Sequence, residues 1–117
     1  MKESNAVKDK SVKFAIRIIE MYKYLNGKKQ EQVISKQLLR SGTSIGANVS
    51  EGVYAQSRSD FISKMSIALK EAAETEYWLE LLIKTGYITE EQHNSMNEDC
   101  RELIKLLVSI VKNTKSN

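Results

Sequence analysis

Four stretches of this chain carry apolar residues at helical spacing, and no proline interrupts any of its 117 residues. Period and length together favour helix over strand throughout, because no stretch shows the strict alternation of a half-buried strand. The first, about 5 to 26, places Val7, Phe14, Ile18, Tyr22 and Leu25 on one face, with Ala15 and Ile19 beside them. Ser4 or Asn5 can cap its start, and Asn26-Gly27 supplies a left-handed stop. A second, about 30 to 55, marks its core side with Ile34, Leu38, Ile45 and Val49. The third, about 59 to 85, has Ser59 as its expected cap, then Phe61, Met65, Ala68, Leu69, Ala72, Leu79 and Ile83, and closes on Gly86-Tyr87. For the fourth, about 89 to 113, Thr89 and Gln92 match a capping box and Glu90 and Glu91 suit the positive helix end. Its core side is Met96, Cys100, Leu103, Leu107 and Ile110, and the tail from Lys112 is expected to fray. Four helices with short connections specify one all-α domain over residues 1–117, an antiparallel up-and-down four-helix bundle.

The second helix breaks its own pattern. Arg40 to Gly52 holds Gly42, Gly46 and Gly52 among small polar residues, and each interior glycine costs a helix about 1 kcal/mol relative to alanine. A kink, the close approach of another backbone, or a bound partner would offset that cost. Asn48 and Glu51 share a face, Gly52 follows, and Arg40 and Ser41 lie two to three turns earlier. With Glu74, Thr75 and Glu76 available on the third helix, this strip reads as a structural polar network, since an unpaired buried group costs about 1 to 3 kcal/mol.

Charge is unevenly placed although the formal net is only +3. Residues 1–30 hold eight Lys/Arg and three Asp/Glu, whereas residues 59–117 hold seven basic and ten acidic residues. Lys10, Lys13 and Arg17 form a stripe along the first helix, with Lys28 and Lys29 just beyond it. Such an excess is either a solvated face or an anion-binding one, RNA or DNA being the obvious partner. The lone cysteine, Cys100, cannot form an internal disulfide, and the opening residues Met1-Lys-Glu-Ser-Asn lack a hydrophobic region. No apolar run approaches the roughly 20 residues of a membrane span. A soluble cytoplasmic protein is the expectation, with no membrane partner.

Little here can carry chemistry. A di-iron bundle needs two Glu-x-x-His pairs, and Glu90-x-x-His93 uses the single histidine of the chain. No metal site, cofactor site or catalytic residue is expected, and Gly42 and Gly46 lack the lysine and strand context of a phosphate loop. Apolar residues in excess of one core face occur at Tyr77-Trp78-Leu79, Leu81-Leu82-Ile83 and Leu103 to Val108. Either a broad core contact or a second copy of the chain can cover such an excess.

The run Ser44-Ile45-Gly46-Ala47-Asn48-Val49-Ser50-Glu51-Gly52, followed by Phe61 and then Ser66 through Leu79 with its Ala-x-x-Glu-Thr-x-x-x-Leu pattern, resembles the bacterial family of 23S rRNA intervening-sequence proteins. The resemblance covers nearly the whole chain. It implies an antiparallel four-helix bundle assembling into a ring, commonly a pentamer, and it places Asn48, Glu51 and Gly52 on the second helix and Glu74 and Glu76 on the third as pattern residues without a catalytic role. Founding members are encoded within insertions in the large ribosomal RNA gene. A related protein, the accessory variability determinant of diversity-generating retroelements, forms a basic ring that binds a reverse transcriptase and nucleic acid. Many relatives have proline where this chain has Gly46, which points to a bend near Gly42 to Gly46. The expected function is a non-enzymatic, ring-forming scaffold that binds RNA or DNA through Lys10, Lys13, Arg17, Lys28 and Lys29. The alternative is a protein adaptor recruiting its partner around Trp78 and Leu82.

Overall fold

The computed structural model describes residues 2–116, and the side chains of 4–115. It contains four helices, α1 (Lys2–Gly27), α2 (Ile34–Val53), α3 (Arg58–Lys84) and α4 (Glu90–Ser116). Each helix packs on the next in the chain, and α4 returns beside α1 to close the bundle. The result is a rod of 46 × 21 × 18 Å, its long dimension close to that of a 26-residue helix at about 1.5 Å per residue.

The core is a set of seams stepping alternately by three and four residues. On α1 it runs Val7, Ser11, Phe14, Ile18, Met21 and Leu25; on α2 it runs Ser35, Leu38, Gly42, Ile45, Val49 and Gly52. The seam of α3 is Met65, Ala68, Ala72, Thr75, Leu79 and Leu82, and that of α4 is Met96, Cys100, Leu103, Leu107 and Ile110. A repeat of 3.5 keeps one face on its neighbours along the full length, which is how bundle helices interlock side chains.

The ends of the helices differ in how they are made. At α4 the capping box forms in both directions: Gln92 N–H donates to Thr89 Oγ1 at 3.1 Å, and Thr89 N–H donates to Gln92 Oε1 at 2.8 Å. Gly86, at φ +81°, ends α3. There Gly86 N–H donates to Ile83 O and Tyr87 N–H to Leu82 O, the two bonds of a Schellman stop that needs a left-handed residue.

Elsewhere the ends move. The cap of α3 is Ser57, not Ser59: its hydroxyl accepts from Asp60 N–H at 3.0 Å. Gly27 stays within α1, and the left-handed residue of the first turn is Gln30, at φ 53°. α1 already includes Ser4 and Asn5, and α4 continues through Ser116, past the expected end near residue 113; Asn117 lies outside the described residues. α2 starts four residues later than the period implied, because Glu31 folds back as a cap. Its carboxylate accepts from the N–H groups of Val33, Ile34 and Ser35 at 3.2, 3.0 and 2.7 Å, and Ser35 Oγ donates to Glu31 O at 2.7 Å. One buried side chain thus satisfies three donors that a helix start leaves without partners.

α2 runs unbroken from Ile34 to Val53, so of the three explanations for its glycines, close approach has direct support. A Cβ on Gly42 would meet three carbons of the Ile18 side chain at 2.6 to 2.8 Å, and one on Gly52 would meet Met65 Cε at 2.8 Å. Gly46 faces the backbone of Ser11, with its imagined Cβ 3.4 Å from the carbonyl oxygen.

Candidate interaction surfaces

The basic stripe of α1 faces the side of the bundle where α4 returns. Lys10 Nζ lies 2.5 Å from Glu102 Oε1, and Arg17 Nη1 lies 2.6 Å from Asp99 Oδ2. Arg17 also donates through Nη2 to Ser95 Oγ at 2.7 Å. The hydrogen bond and charge of Glu102 raise the pKa of Lys10 above its ordinary value. Two of the three stripe cations are thereby paired with carboxylates of their own chain. Lys13 has no ion-pair partner among the described residues. Lys28 and Lys29 are exposed beyond the end of α1, with the Lys29 ammonium 5.9 Å from the centre of the Tyr24 ring, within cation–π range. The structure therefore divides the five cations into a bridged pair, a lone lysine beside them, and a separate pair at the α1–α2 turn.

Arg17 also borders open space between α1 and the start of α4. A groove of about 310 Å3 opens there, lined by Ile16, Arg17, Glu20, Met21, Tyr24, Gln92 and Met96.

The strip on α2 does not form one network. Arg40 pairs with Glu74, and its Nη1 lies 3.3 Å from Glu71 Oε1. Trp78 Nε1–H donates to Glu74 Oε2 at 2.9 Å, so Glu74 joins a cation on α2 to an aromatic on its own helix. Asn48 donates to Ser44 O one turn back in α2, Glu51 pairs with Lys64 at 2.9 Å, and Glu76 pairs with Arg101 of α4 at 3.3 Å. Gly52 serves packing against Met65. Beneath these surface pairs sits one fully buried polar link, Thr75 Oγ1 donating to Ser41 Oγ at 2.9 Å.

The apolar excess also lies elsewhere than its sequence position implied. Leu82 is wholly buried, and Trp78, Ile83, Ile104 and Leu106 pack against the core, so most of the α3 and α4 excess is broad core contact. Trp78 and Leu82 are not the centre of an exposed surface. The outward apolar side chains of those helices are Ile67, Tyr77 and Val108, at 40%, 51% and 46% exposed. On α1, Val12 and Ile16, which the sequence period did not single out, form an exposed line with Ile19, which the period had set beside the core face.

Among the described residues no group of three or more His, Cys, Asp or Glu is placed to hold a metal. Cys100 is buried, its thiol donates to Ala72 O at 3.2 Å, and burial pushes its pKa up to about 12. At neutral pH that thiol is protonated and unsuited to attack. Among the described residues no helix is long and apolar enough to cross a membrane.

Among curated proteins none matches this chain. A solved structure of a protein of unknown function from the S23 ribosomal protein family of Bacteroides thetaiotaomicron is 63% identical, with a TM-score of 0.93 over 94% of this chain and 98% of that one. The profile of the 23S rRNA-intervening sequence proteins matches residues 3–109. With the four-helix architecture and a match over nearly its whole length, this chain belongs to the 23S rRNA-intervening sequence protein family.

Proposed function

We propose that this protein is a non-enzymatic helical scaffold that works by assembling copies of itself into a homo-oligomeric ring, a pentamer on the family resemblance. The observation carrying this reading is that apolar side chains remain exposed on separate helices away from α1: Ile67 and Tyr77 on α3, and Val108 on α4. A closed ring joins unlike patches, so each copy must offer more than one. A cytoplasmic setting is part of the reading, because free thiols such as Cys100 persist in reducing compartments. Light scattering on the purified protein at micromolar concentration should give a single multiple of 13.3 kDa. A monomer would overturn the ring.

Nucleic-acid binding is a second reading, supported by Lys13, Lys28 and Lys29, which carry no ion pair among the described residues, but weakened by the pairing of Lys10 and Arg17. Repeated around a ring, three open cations per copy make a field that attracts a phosphate backbone. Anisotropy titrations with RNA and DNA should show affinity falling steeply with salt, and replacing the three lysines with glutamine should remove it. No binding at low salt would leave the protein adaptor, with the Tyr77 and Ile67 surface as its contact.

A further inference from the structure

We infer that the outer face of α1 pairs with α1 of a second copy, antiparallel, across a two-fold axis at Ile16. The apolar part of this face is Val12, Ile16 and Ile19, at 46%, 55% and 38% exposed. Steps of four and three set them on one line, the spacing of a helix–helix seam. The charges around that line carry the inference. Asp9, Lys13, Glu20 and Lys23 are all exposed, and among the described residues none has an ion-pair partner. With Ile16 at the middle they follow the same four-three-four-three rhythm and read acid, base, apolar, acid, base.

That order is self-complementary in one direction only. In an antiparallel pair centred on Ile16, Asp9, seven residues before the centre, meets the second copy's Lys23, seven after it. Lys13, three before, meets the second copy's Glu20, four after. The two-fold repeats both contacts, giving four opposite-charge pairs around an apolar centre. On the other flank Lys8 falls near the second copy's Asn26 and meets no like charge. A parallel, in-register pair would instead set Asp9 on Asp9 and Lys13 on Lys13. Charges flanking a helix seam fix partner and orientation in this way, and Lys13 is then occupied by a second copy and not by a phosphate.

This contact rests on the self-association reading but not on the ring. Like meets like across a two-fold, so it gives a dimer where no ring forms and joins two rings where one does. Covalent trapping separates these cases, because a two-fold alone places residue 16 opposite itself. Ile16→Cys under mild oxidation should give a disulfide-linked dimer on a non-reducing gel, while Ile67→Cys on α3 should not; Cys100 is buried and stays silent. Lys13→Glu should weaken association about tenfold and the exchange Lys13→Glu/Glu20→Lys should restore it to within about threefold, since each exposed pair contributes modestly. Failure of Ile16→Cys to cross-link in a solution that light scattering shows to be oligomeric overturns the α1 contact and leaves the ring. A monomer up to about 100 μM overturns both. Unchanged association in Lys13→Glu overturns the charge register.

Discussion

α1 meets its two neighbours by opposite means. Toward α2 the contact is made at glycines: Gly42 receives the Ile18 side chain, and Gly46 lies against the Ser11 backbone. Toward α4 the contact is between long side chains, with Lys10 and Arg17 reaching Glu102 and Asp99 across the edge of an open groove. Close packing gains dispersion contacts and excludes water, and where atoms already touch it fails sharply when carbons are added. Exposed ion pairs tolerate movement and are worth little each. The same helix is thus fixed on one side and adjustable on the other, so substitutions of similar size should have very different consequences on the two sides.

The largest effect should come from Gly42→Val. A Cβ there already overlaps Ile18, and because three separate carbons of a β-branched, fully buried side chain are involved, no single rotation relieves them. Overpacking costs typically 1 to 3 kcal/mol, and two further methyls should bring the loss to about 3 kcal/mol. Thermal unfolding should show a midpoint lower by roughly 12 °C. Adding Ile18→Ala should cost less than the two changes separately, because the residues share one space. Additive losses would mean that Gly42 is not held against Ile18.

The short link between α1 and α2 belongs to the tight side and tests it next. Glu31→Ala removes the carboxylate that accepts from Val33, Ile34 and Ser35, and loss of a helix cap costs about 0.5 to 2 kcal/mol. We expect about 1.5 kcal/mol by denaturant titration, with amide exchange faster in the first turn of α2 than in its middle. Uniform exchange along α2 would show that Glu31 is not its cap.

Glu31 also marks the limit of what local sequence conveys. The Thr89-Gln92 box and the Gly86-Tyr87 stop are complete within a few residues, and both were legible. Glu31 lies inside a stretch that reads as helix, and nothing in its neighbours declares that its side chain turns forward to the backbone. The glycines of α2 declared close contact or bending without saying which, because Ile18 is 24 positions away from Gly42. The basic line on α1 was likewise legible as a line, while its pairing with Asp99 and Glu102 depends on how α4 returns. Hydrophobicity alone placed the spare apolar surface on α3 and α4, where neighbours cover most of it. The exposed Val12 and Ile16 were passed over, and Ile19 was set beside the core face, because only the packed helices reveal which apolar residues lack cover.

Gly46→Ala sharpens the contrast within the tight side itself. Four residues from Gly42, a Cβ would meet Ser11 at 3.4 Å, the near limit of ordinary contact. The gain of alanine over glycine in a helix interior, about 1 kcal/mol, is then only partly offset. Stability should rise by about 0.5 kcal/mol, read as a higher denaturant midpoint at unchanged slope. A loss larger than that seen for Glu31→Ala would show that α1 and α2 approach at Ser11 as closely as they do at Ile18.

On the adjustable side the smallest effect is expected. Arg17→Gln removes the bond to Asp99 and both contacts to Ser95, yet the Arg17 side chain is 40% exposed and water replaces what is lost. The expected cost is about 0.5 kcal/mol or less at low salt. It should vanish near 1 M salt, where charges are screened within roughly 3 Å. Asp99→Asn should behave the same way, and the double variant should cost no more than either single one, since one interaction cannot be removed twice. A loss above about 1.5 kcal/mol that persists in salt would show that Arg17 holds α4 in place as firmly as the glycines hold α2, and the contrast between the two sides of α1 would fail.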